Sequence, residues 1–142
     1  MPIRKSDAAW TGGLKDGGGQ VLLGSGAFEG AYSAGSRFED AAGTNPEELI
    51  GAAHAGCFSM ALSGLLEESG HQVTRIQTRA EVKLEKQDAG FAITGITLRT
   101  RGQVPGIDEA AFREQATKAK DNCPVSKALM GTAIELEATL ES

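Results

Sequence analysis

The order of hydrophobic patterns along this chain predicts an α+β fold with mostly antiparallel strand pairing. Short strand patterns occupy the first forty residues, and one long apolar helix pattern follows them. Two long strands, two helices and a last strand complete the order. The chain has 142 residues, of which 40% are hydrophobic. We therefore predict a single domain over residues 1–142 that can bury a real core.

Three short strands are predicted in the glycine-rich N-terminal region, around residues 8–11, 20–23 and 31–38. Glycines at 12–13 and 17–19 separate the first two strands and are typical turn signals. No Gly-Lys-Ser/Thr follows these glycines, so hairpin turns explain them better than a phosphate-binding loop.

A long helix is predicted from about residue 46 to residue 69. Asn45 or Thr44 can cap it, Pro46 fits its first position, and Gly70 is a stop signal. Glycine inside a helix costs roughly 1 kcal/mol relative to alanine, so glycines there suggest that another backbone approaches closely. The middle of this helix is built from small residues, namely Gly51, Ala52, Ala53, Ala55, Gly56 and Ala61.

Two long strands are predicted after this helix. Apolar and polar residues alternate over 76–84, as in a half-buried strand. In the next strand, 91–101, the apolar phase changes at Thr94-Gly95, which predicts a β-bulge there.

The C-terminal part is predicted to hold two helices and a strand. The first helix, 108–122, carries Phe112, Ala116 and Ala119 on its inner face, and Cys123 continues that face. A short helix over 125–130 comes next. The last strand places four apolar residues on one face: Ile134, Leu136, Ala138 and Leu140.

Charge and hydropathy limit the possible partners and location. The net charge of −5 argues against nucleic acid or an anionic membrane as the main partner. No apolar run approaches the roughly 20 residues that span a bilayer, and the first ten residues lack the apolar centre of a signal peptide. We therefore expect a soluble, cytoplasmic protein. Thiols are mostly reduced there, so a cysteine pair is more often catalytic than a structural staple.

The chain has two cysteines, Cys57 and Cys123, and the residues around them leave their roles open. Free cysteine is among the most buried residue types, so Cys57 could be a small packed hydrophobe. Cys123 precedes Pro124, which places it at the cap of the next helix, where a thiolate is stabilised. Local sequence thus favours Cys123 as the thiolate. Whether the two thiols meet depends on the fold.

Arg37 and Glu47 are candidates for electrostatic roles. Arg37 lies at the end of the predicted strand 31–38, where it could be a solvated side chain or could stabilise a thiolate or a peroxide oxygen. Glu47 lies in the first helical turn, where complementing the helix dipole explains it. Its functional alternative is to pair with an arginine and orient it.

His54 precedes Cys57 by three positions and could share its helix face. It could act as the base of a cysteine hydrolase, but a packing role is favoured because such enzymes usually bring the histidine from elsewhere in the fold. A zinc site at His54 and Cys57 would need at least one more ligand, so a metal site is weakly supported.

Four segments resemble the OsmC/Ohr family (osmotically inducible protein C and organic hydroperoxide resistance protein). They are NPEELIGAAHAGCFSM at 45–60, DAGFAIT at 88–94, VPGID at 104–108 and NCPVS at 122–126. His54 and the late position of Arg37 favour the OsmC branch. Gly56 departs from the alanine expected in close relatives, and this change is conservative.

The resemblance implies a fold in which antiparallel sheets wrap around two central helices of an intertwined homodimer. It also implies a thiol-dependent peroxidase, active in oxidative or osmotic stress defence, that reduces organic hydroperoxides to alcohols. Cys57 would attack the peroxide and Cys123 would resolve the sulfenic acid as a disulfide. Arg37 would hold the thiolate and Glu47 would anchor Arg37. No metal or flavin is needed, and an external dithiol such as a dihydrolipoyl group would be the reductant.

Two alternatives remain at this point. The first is a non-catalytic stress protein that binds a small apolar ligand at the dimer interface, in which Cys57→Ser would keep function. The second is a cysteine hydrolase that uses His54, which would turn over esters without reductant and without Cys123.

Overall fold

The computed structural model describes residues 1–141. The chain forms two compact units, one over Met1–Leu49 and the other from Ile50 onward. The mixed α+β composition predicted from the sequence is confirmed.

The first unit contains a three-stranded antiparallel meander, with strands β1 (Ser6–Thr11), β2 (Gly18–Leu23) and β3 (Glu29–Tyr32). The first two predicted strands are confirmed. The predicted strand 31–38 is wrong, because strand β3 ends at Tyr32 and a short helix, α1 (Ala34–Phe38), follows.

A capping box explains why the backbone turns into helix α1. The Ser36 N–H donates to Ser33 Oγ at 3.1 Å, and the Ser33 N–H donates to Ser36 Oγ at 2.8 Å. These two bonds satisfy backbone donors that would otherwise be left open at the helix start. Arg37 therefore lies on a helix and not at the end of a strand.

Helix α2 (Pro46–Glu68) begins in the first unit and continues into the second. The Glu48 N–H donates to Asn45 Oδ1 at 2.7 Å, so Asn45 is the cap of the two predicted candidates, Asn45 and Thr44. Beyond the last turn Gly70 adopts φ +88°, the left-handed conformation that commonly ends helices.

The second unit contains a three-stranded sheet in the order β4 (Arg75–Gln87), β5 (Gly90–Gln103), β6 (Ala133–Leu140). Strands β4 and β5 are antiparallel, and their register shifts at Lys83/Leu84, opposite Thr94. The predicted bulge at Thr94-Gly95 is confirmed. Strand β6 pairs in parallel with β5, which departs from the antiparallel pattern of the other pairs. A helical crossover links these two strands, and such a connection allows parallel pairing.

The crossover consists of helices α3 (Glu109–Asn122) and α4 (Pro124–Ala128). Asp108 caps α3, since its Oδ1 accepts from the Ala111 N–H at 2.7 Å. Cys123 ends α3 and also caps α4. Its side chain is buried, as the continuing apolar face of α3 predicts.

The buried core of the second unit joins side chains from α2, β5 and α3. Its buried members are Phe58, Leu62, Leu66, Ile96, Leu98, Val104, Phe112, Ala116, Ala119 and Cys123. The apolar faces of β4 and β6 pack against it. Cys57 lies at the edge of this core and is partly buried.

Helix α2 is apolar on both sides. Its most apolar 18-residue stretch has a mean hydropathy of 1.6, so by length and composition alone the helix could cross a membrane. The expectation that no apolar run approaches bilayer length is therefore wrong. One face of α2 packs into the core, but only 28% of that stretch is buried. The opposite face, here called the small-residue face, exposes Ala52, Ala53, Gly56 and Met60.

Candidate active site

Arg37 and Glu47 form a two-pronged ion pair in the first unit. Arg37 Nε donates to Glu47 Oε1 at 3.0 Å and Arg37 Nη2 donates to Glu47 Oε2 at 2.9 Å. Glu47 is buried with 7% exposure, whereas the Arg37 side chain is 37% exposed. A buried carboxylate needs such a partner, and the planar fork fixes the guanidinium orientation. One edge of Arg37 is thus held while the rest of the group stays accessible.

Hydrogen bonds hold helix α1 against the segment that precedes α2. Ser36 Oγ donates to the Thr44 carbonyl at 2.7 Å, and Asn45 Nδ2 donates to the Ser36 carbonyl at 3.1 Å. Ser36 and Thr44 are both buried. These contacts set the position of Arg37 relative to the first turn of α2, which carries Glu47.

Arg37 also borders an apolar cavity of about 290 Å³ in the first unit. Its guanidinium carbon lies 5.4 Å from the centre of the Phe38 ring, within the range of a cation–π contact. The alternation expected of a strand would have placed these two side chains on opposite sides. The other lining residues are Trp10, Leu14, Tyr32, Ser33 and Ala34.

The two thiols meet in the second unit. Cys57 lies close enough to Cys123 and to the Val125 backbone for both to shift the pKa of its thiol. Cys123 is 1% exposed, whereas Cys57 is only partly buried, so Cys57 is the thiol that a substrate can reach. Both cysteines are free thiols. The arrangement suits attack at Cys57 followed by closure onto Cys123.

The pKa of Cys57 is raised above its ordinary value. Burial is the main cause, and the hydrogen bond and charge interaction with Cys123 raise it further. The hydrogen bond from the Val125 backbone acts in the opposite direction and offsets only part of this. A nearby cation would be needed to make Cys57 a thiolate at neutral pH.

Cys123 belongs to a buried hydrogen-bond chain that also contains Ser126 and His54. Cys123 Sγ donates to Ser126 Oγ at 3.1 Å, and the Ser126 N–H donates to Cys123 Sγ at 3.3 Å. His54 Nε2 lies 2.7 Å from Ser126 Oγ. Sequence reasoning missed Ser126. Its position three residues after the cap residue Cys123 was the available signal, because an N3 side chain often bonds the cap.

His54 is fully buried, which lowers its pKa below the ordinary value. Its Nε2 contacts Ser126, and its Nδ1 has no hydrogen-bond partner within residues 1–141. Neither nitrogen therefore bonds Cys57, which removes the basis for a Cys57–His54 hydrolase pair.

The four residues predicted for the site thus form two pairs. Arg37 and Glu47 belong to the unit over Met1–Leu49, and Cys57 and Cys123 to the unit that begins at Ile50. Within residues 1–141, no group of three or more His, Cys, Asp or Glu side chains could hold a metal ion.

Comparisons with known proteins identify one matching family and several relatives. The family described as OsmC-like protein matches residues 38–139, which include Glu47, Cys57 and Cys123. The chain is 51% identical over 140 residues to Peroxiredoxin OsmC of Escherichia coli strain K12, covering 98% of this chain and 97% of that protein.

A second relative comes from the other branch. The chain is 33% identical over 101 residues to Organic hydroperoxide resistance protein OhrB of Bacillus subtilis strain 168, covering 70% of this chain and 72% of the relative. The crystal structure of OhrB superposes with a TM-score of 0.72 and 26% identity, covering 96% of this chain and 98% of that one. Both the sequence and the fold lead to one conclusion: the chain belongs to the OsmC family.

Proposed function

We propose that this protein is a cysteine-based peroxidase that reduces organic hydroperoxides to alcohols in oxidative or osmotic stress defence. The observation that carries the proposal is the meeting of an accessible thiol, Cys57, with a buried second thiol, Cys123. The names of the relatives, a peroxiredoxin and an organic hydroperoxide resistance protein, support the same reaction class.

The reaction proceeds in three steps. The Cys57 thiolate attacks the distal peroxide oxygen, the O–O bond breaks, and the alkoxide leaves and takes a proton to become an alcohol. Cys57 is then a sulfenic acid. Cys123 condenses with it to a disulfide and water. An external dithiol reduces the disulfide through a mixed disulfide, and a dihydrolipoyl group is the donor that the family resemblance suggests.

Arg37 supplies the cation that this chemistry requires. Burial and Cys123 raise the pKa of Cys57, so attack at neutral pH needs a positive charge that stabilises the thiolate. The same charge stabilises the negative oxygen that develops as the O–O bond breaks. Glu47 keeps the guanidinium in one orientation through its two bonds.

The cavity beside Arg37 favours organic over inorganic peroxide. Its volume of about 290 Å³ and its aromatic lining suit an apolar substituent. Hydrogen peroxide has no such group and gains nothing from this surface. We therefore expect a higher kcat/KM for bulky hydroperoxides.

A homodimer completes the proposal. The small-residue face of α2 is apolar and exposed in the single chain, and an added Cβ at Gly56 would meet nothing within 4 Å. Exposed apolar faces of this kind mark interaction sites, and small residues let two helices approach closely. We propose that α2 of a second copy covers this face. The proposed partner is thus a second copy of this protein and not a membrane or nucleic acid. We propose that the protein is soluble and cytoplasmic.

The test is dithiol-dependent consumption of cumene hydroperoxide by the wild type and by Cys57→Ser and Cys123→Ser. The wild type should turn over, and Cys57→Ser should be inactive. Cys123→Ser should reduce one equivalent of peroxide quickly and stop at the Cys57 sulfenic acid, which the dithiol must then reduce directly because no disulfide can form. Turnover that survives in Cys57→Ser would refute the proposal and favour a role in ligand binding.

A further inference from the structure

A hydrogen-bond chain runs from Cys123 through Ser126 to His54, and its His54–Ser126 contact joins residues 72 positions apart in the sequence. All three side chains are excluded from solvent, with exposures of 1% for Cys123, 3% for Ser126 and 0% for His54. Each contact has hydrogen-bonding distance, 3.1 Å from Cys123 Sγ to Ser126 Oγ and 2.7 Å from Ser126 Oγ to His54 Nε2. The hydrogen-bond chain therefore begins at the Cys123 thiol and ends at the His54 imidazole, which is a base.

Disulfide formation requires that Cys123 lose its proton, and bulk water cannot reach this thiol. The Cys123 thiol donates a hydrogen bond to Ser126 Oγ, so this hydroxyl is the first group that can accept the Cys123 proton. A hydroxyl can accept one proton while it donates its own, and His54 Nε2 lies where that second proton would go. Burial lowers the pKa of His54 and so favours its neutral imidazole. In that form one ring nitrogen carries no proton and can accept one.

The second ring nitrogen of His54, Nδ1, is consistent with Ser126 as the donor to Nε2. If Ser126 donates to Nε2, the ring proton of neutral His54 lies on Nδ1, which has no hydrogen-bond partner among the described residues.

We propose that Ser126 and His54 form a proton relay that activates Cys123 as the resolving nucleophile. Ser126 touches the reacting thiol, and His54 acts through Ser126 as a positioning residue. The inference rests on the proposed peroxidase function, since it assigns roles in the second step of that cycle.

The relay conserves atoms and electrons. The Cys123 sulfur attacks the Cys57 sulfur, the S–S bond forms, and the S–O bond of the sulfenic acid breaks with release of hydroxide. The Cys123 proton passes to Ser126 Oγ as the Ser126 proton passes to His54 Nε2. The protonated His54 then returns one proton, which combines with the hydroxide as water. Cys123 is oxidised and the Cys57 sulfenic acid is reduced, both to the disulfide.

Three variants separate a relay from a structural contact. Ser126→Ala removes the hydroxyl. His54→Gln keeps an amide group near the Nε2 position, so it keeps the hydrogen bond to Ser126 but cannot take a proton. Ser126→Thr keeps the hydroxyl and should restore the relay. Ser69→Ala is the matched control, because the Ser69 hydroxyl also contacts a histidine, His71, at 3.2 Å, but in an exposed turn.

The measurement mixes reduced protein with one equivalent of cumene hydroperoxide and stops the reaction at set times with dimedone and a thiol-alkylating reagent. Mass spectrometry then counts sulfenic acid and disulfide. We expect Ser126→Ala and His54→Gln to form sulfenic acid at the wild-type rate and to convert it to disulfide roughly 10²-fold more slowly, as for loss of a general base. Ser126→Thr and Ser69→Ala should behave as the wild type does.

Disulfide formation at the wild-type rate in both Ser126→Ala and His54→Gln would overturn the relay and leave the peroxidase proposal intact. Slowing in Ser126→Ala but not in His54→Gln would also overturn it, since a hydrogen bond alone would then be sufficient. No sulfenic acid or disulfide in the wild type would overturn the peroxidase proposal itself and the relay with it. Circular dichroism at the assay temperature checks that each variant is folded.

Discussion

Substituting Gly56 by leucine tests the proposed role of the small-residue face. Gly56 lies inside α2, and an added Cβ would meet nothing within 4 Å in the single chain. Because glycine in a helix interior costs roughly 1 kcal/mol relative to alanine or leucine, a monomer should gain about that much stability from the substitution. For a chain of this size the gain corresponds to a Tm increase of about 2–4 °C.

A homodimer built on this face gives the opposite sign. Four added carbons at a close helix contact overpack it, at a cost of typically 1–3 kcal/mol for each protomer. The Tm of Gly56→Leu should therefore fall below the wild-type value and should depend on protein concentration.

Light scattering after size-exclusion chromatography gives the mass of each species, and thermal melts at two protein concentrations give its stability. Thr117→Leu on the exposed side of α3 is the control, because it adds leucine to a helix without touching the small-residue face. An unchanged dimer mass together with a higher Tm in Gly56→Leu would refute the reasoning, as would a monomeric wild type.

Three further predictions concern the core and the site. His54→Gln should flatten the loss of stability below about pH 6.5, because a His whose folded pKa is lowered contributes stability that is lost as pH falls through that pKa; urea unfolding across pH gives the slope. Gly102→Ala should lower the free energy of unfolding by roughly 1–3 kcal/mol, since its Cβ would clash with the buried Phe112 ring. Glu47→Gln should lower kcat/KM for cumene hydroperoxide about tenfold, because it removes the charge and one of the two bonds that orient Arg37.

Each of these predictions has a matched control. His71→Gln is the matched control for His54→Gln, because it makes the same replacement at a histidine in an exposed turn. Gly131→Ala adds a methyl group that meets nothing within 4 Å, so a similar loss of stability there would contradict the steric argument. Glu48→Gln removes the neighbouring carboxylate, which accepts from Thr44 Oγ1 at 2.7 Å and does not contact Arg37. Equal losses of activity in Glu47→Gln and Glu48→Gln would point to the helix dipole instead of Arg37.

Local sequence preferences were sufficient to predict several elements of the fold. Asn45 and Gly70 mark the ends of α2 through backbone preferences that act within a few residues. The phase change at Thr94-Gly95 revealed the bulge because side-chain direction in a strand depends only on the residue count. Cys123 could be placed in the core because it continues the apolar face of α3.

Other features could not be predicted from local sequence. They depended on competition between two local structures or on contacts between residues far apart in the chain. Residues 33–38 fit a strand pattern, but the Ser33–Ser36 capping box outweighed it. Parallel pairing of β6 with β5 follows from the crossover of α3 and α4, which strand composition does not report. The contacts of Cys57 with Cys123 and of His54 with Ser126 join α2 to the crossover, and no spacing rule predicts contacts at such separations.

Cys123 has two structural roles besides its proposed chemistry. It ends α3, and its sulfur caps the five-residue helix α4. So short a helix has little stability of its own and depends on its cap and on packing. Oxidation to a disulfide removes the S–H that donates to Ser126 Oγ and turns the sulfur toward Cys57, so it weakens the bond from the Ser126 N–H. The amide of Ser126 is therefore a natural reporter of oxidation state: its hydrogen-exchange rate and NMR shift should differ between the reduced and oxidised protein, without any added label.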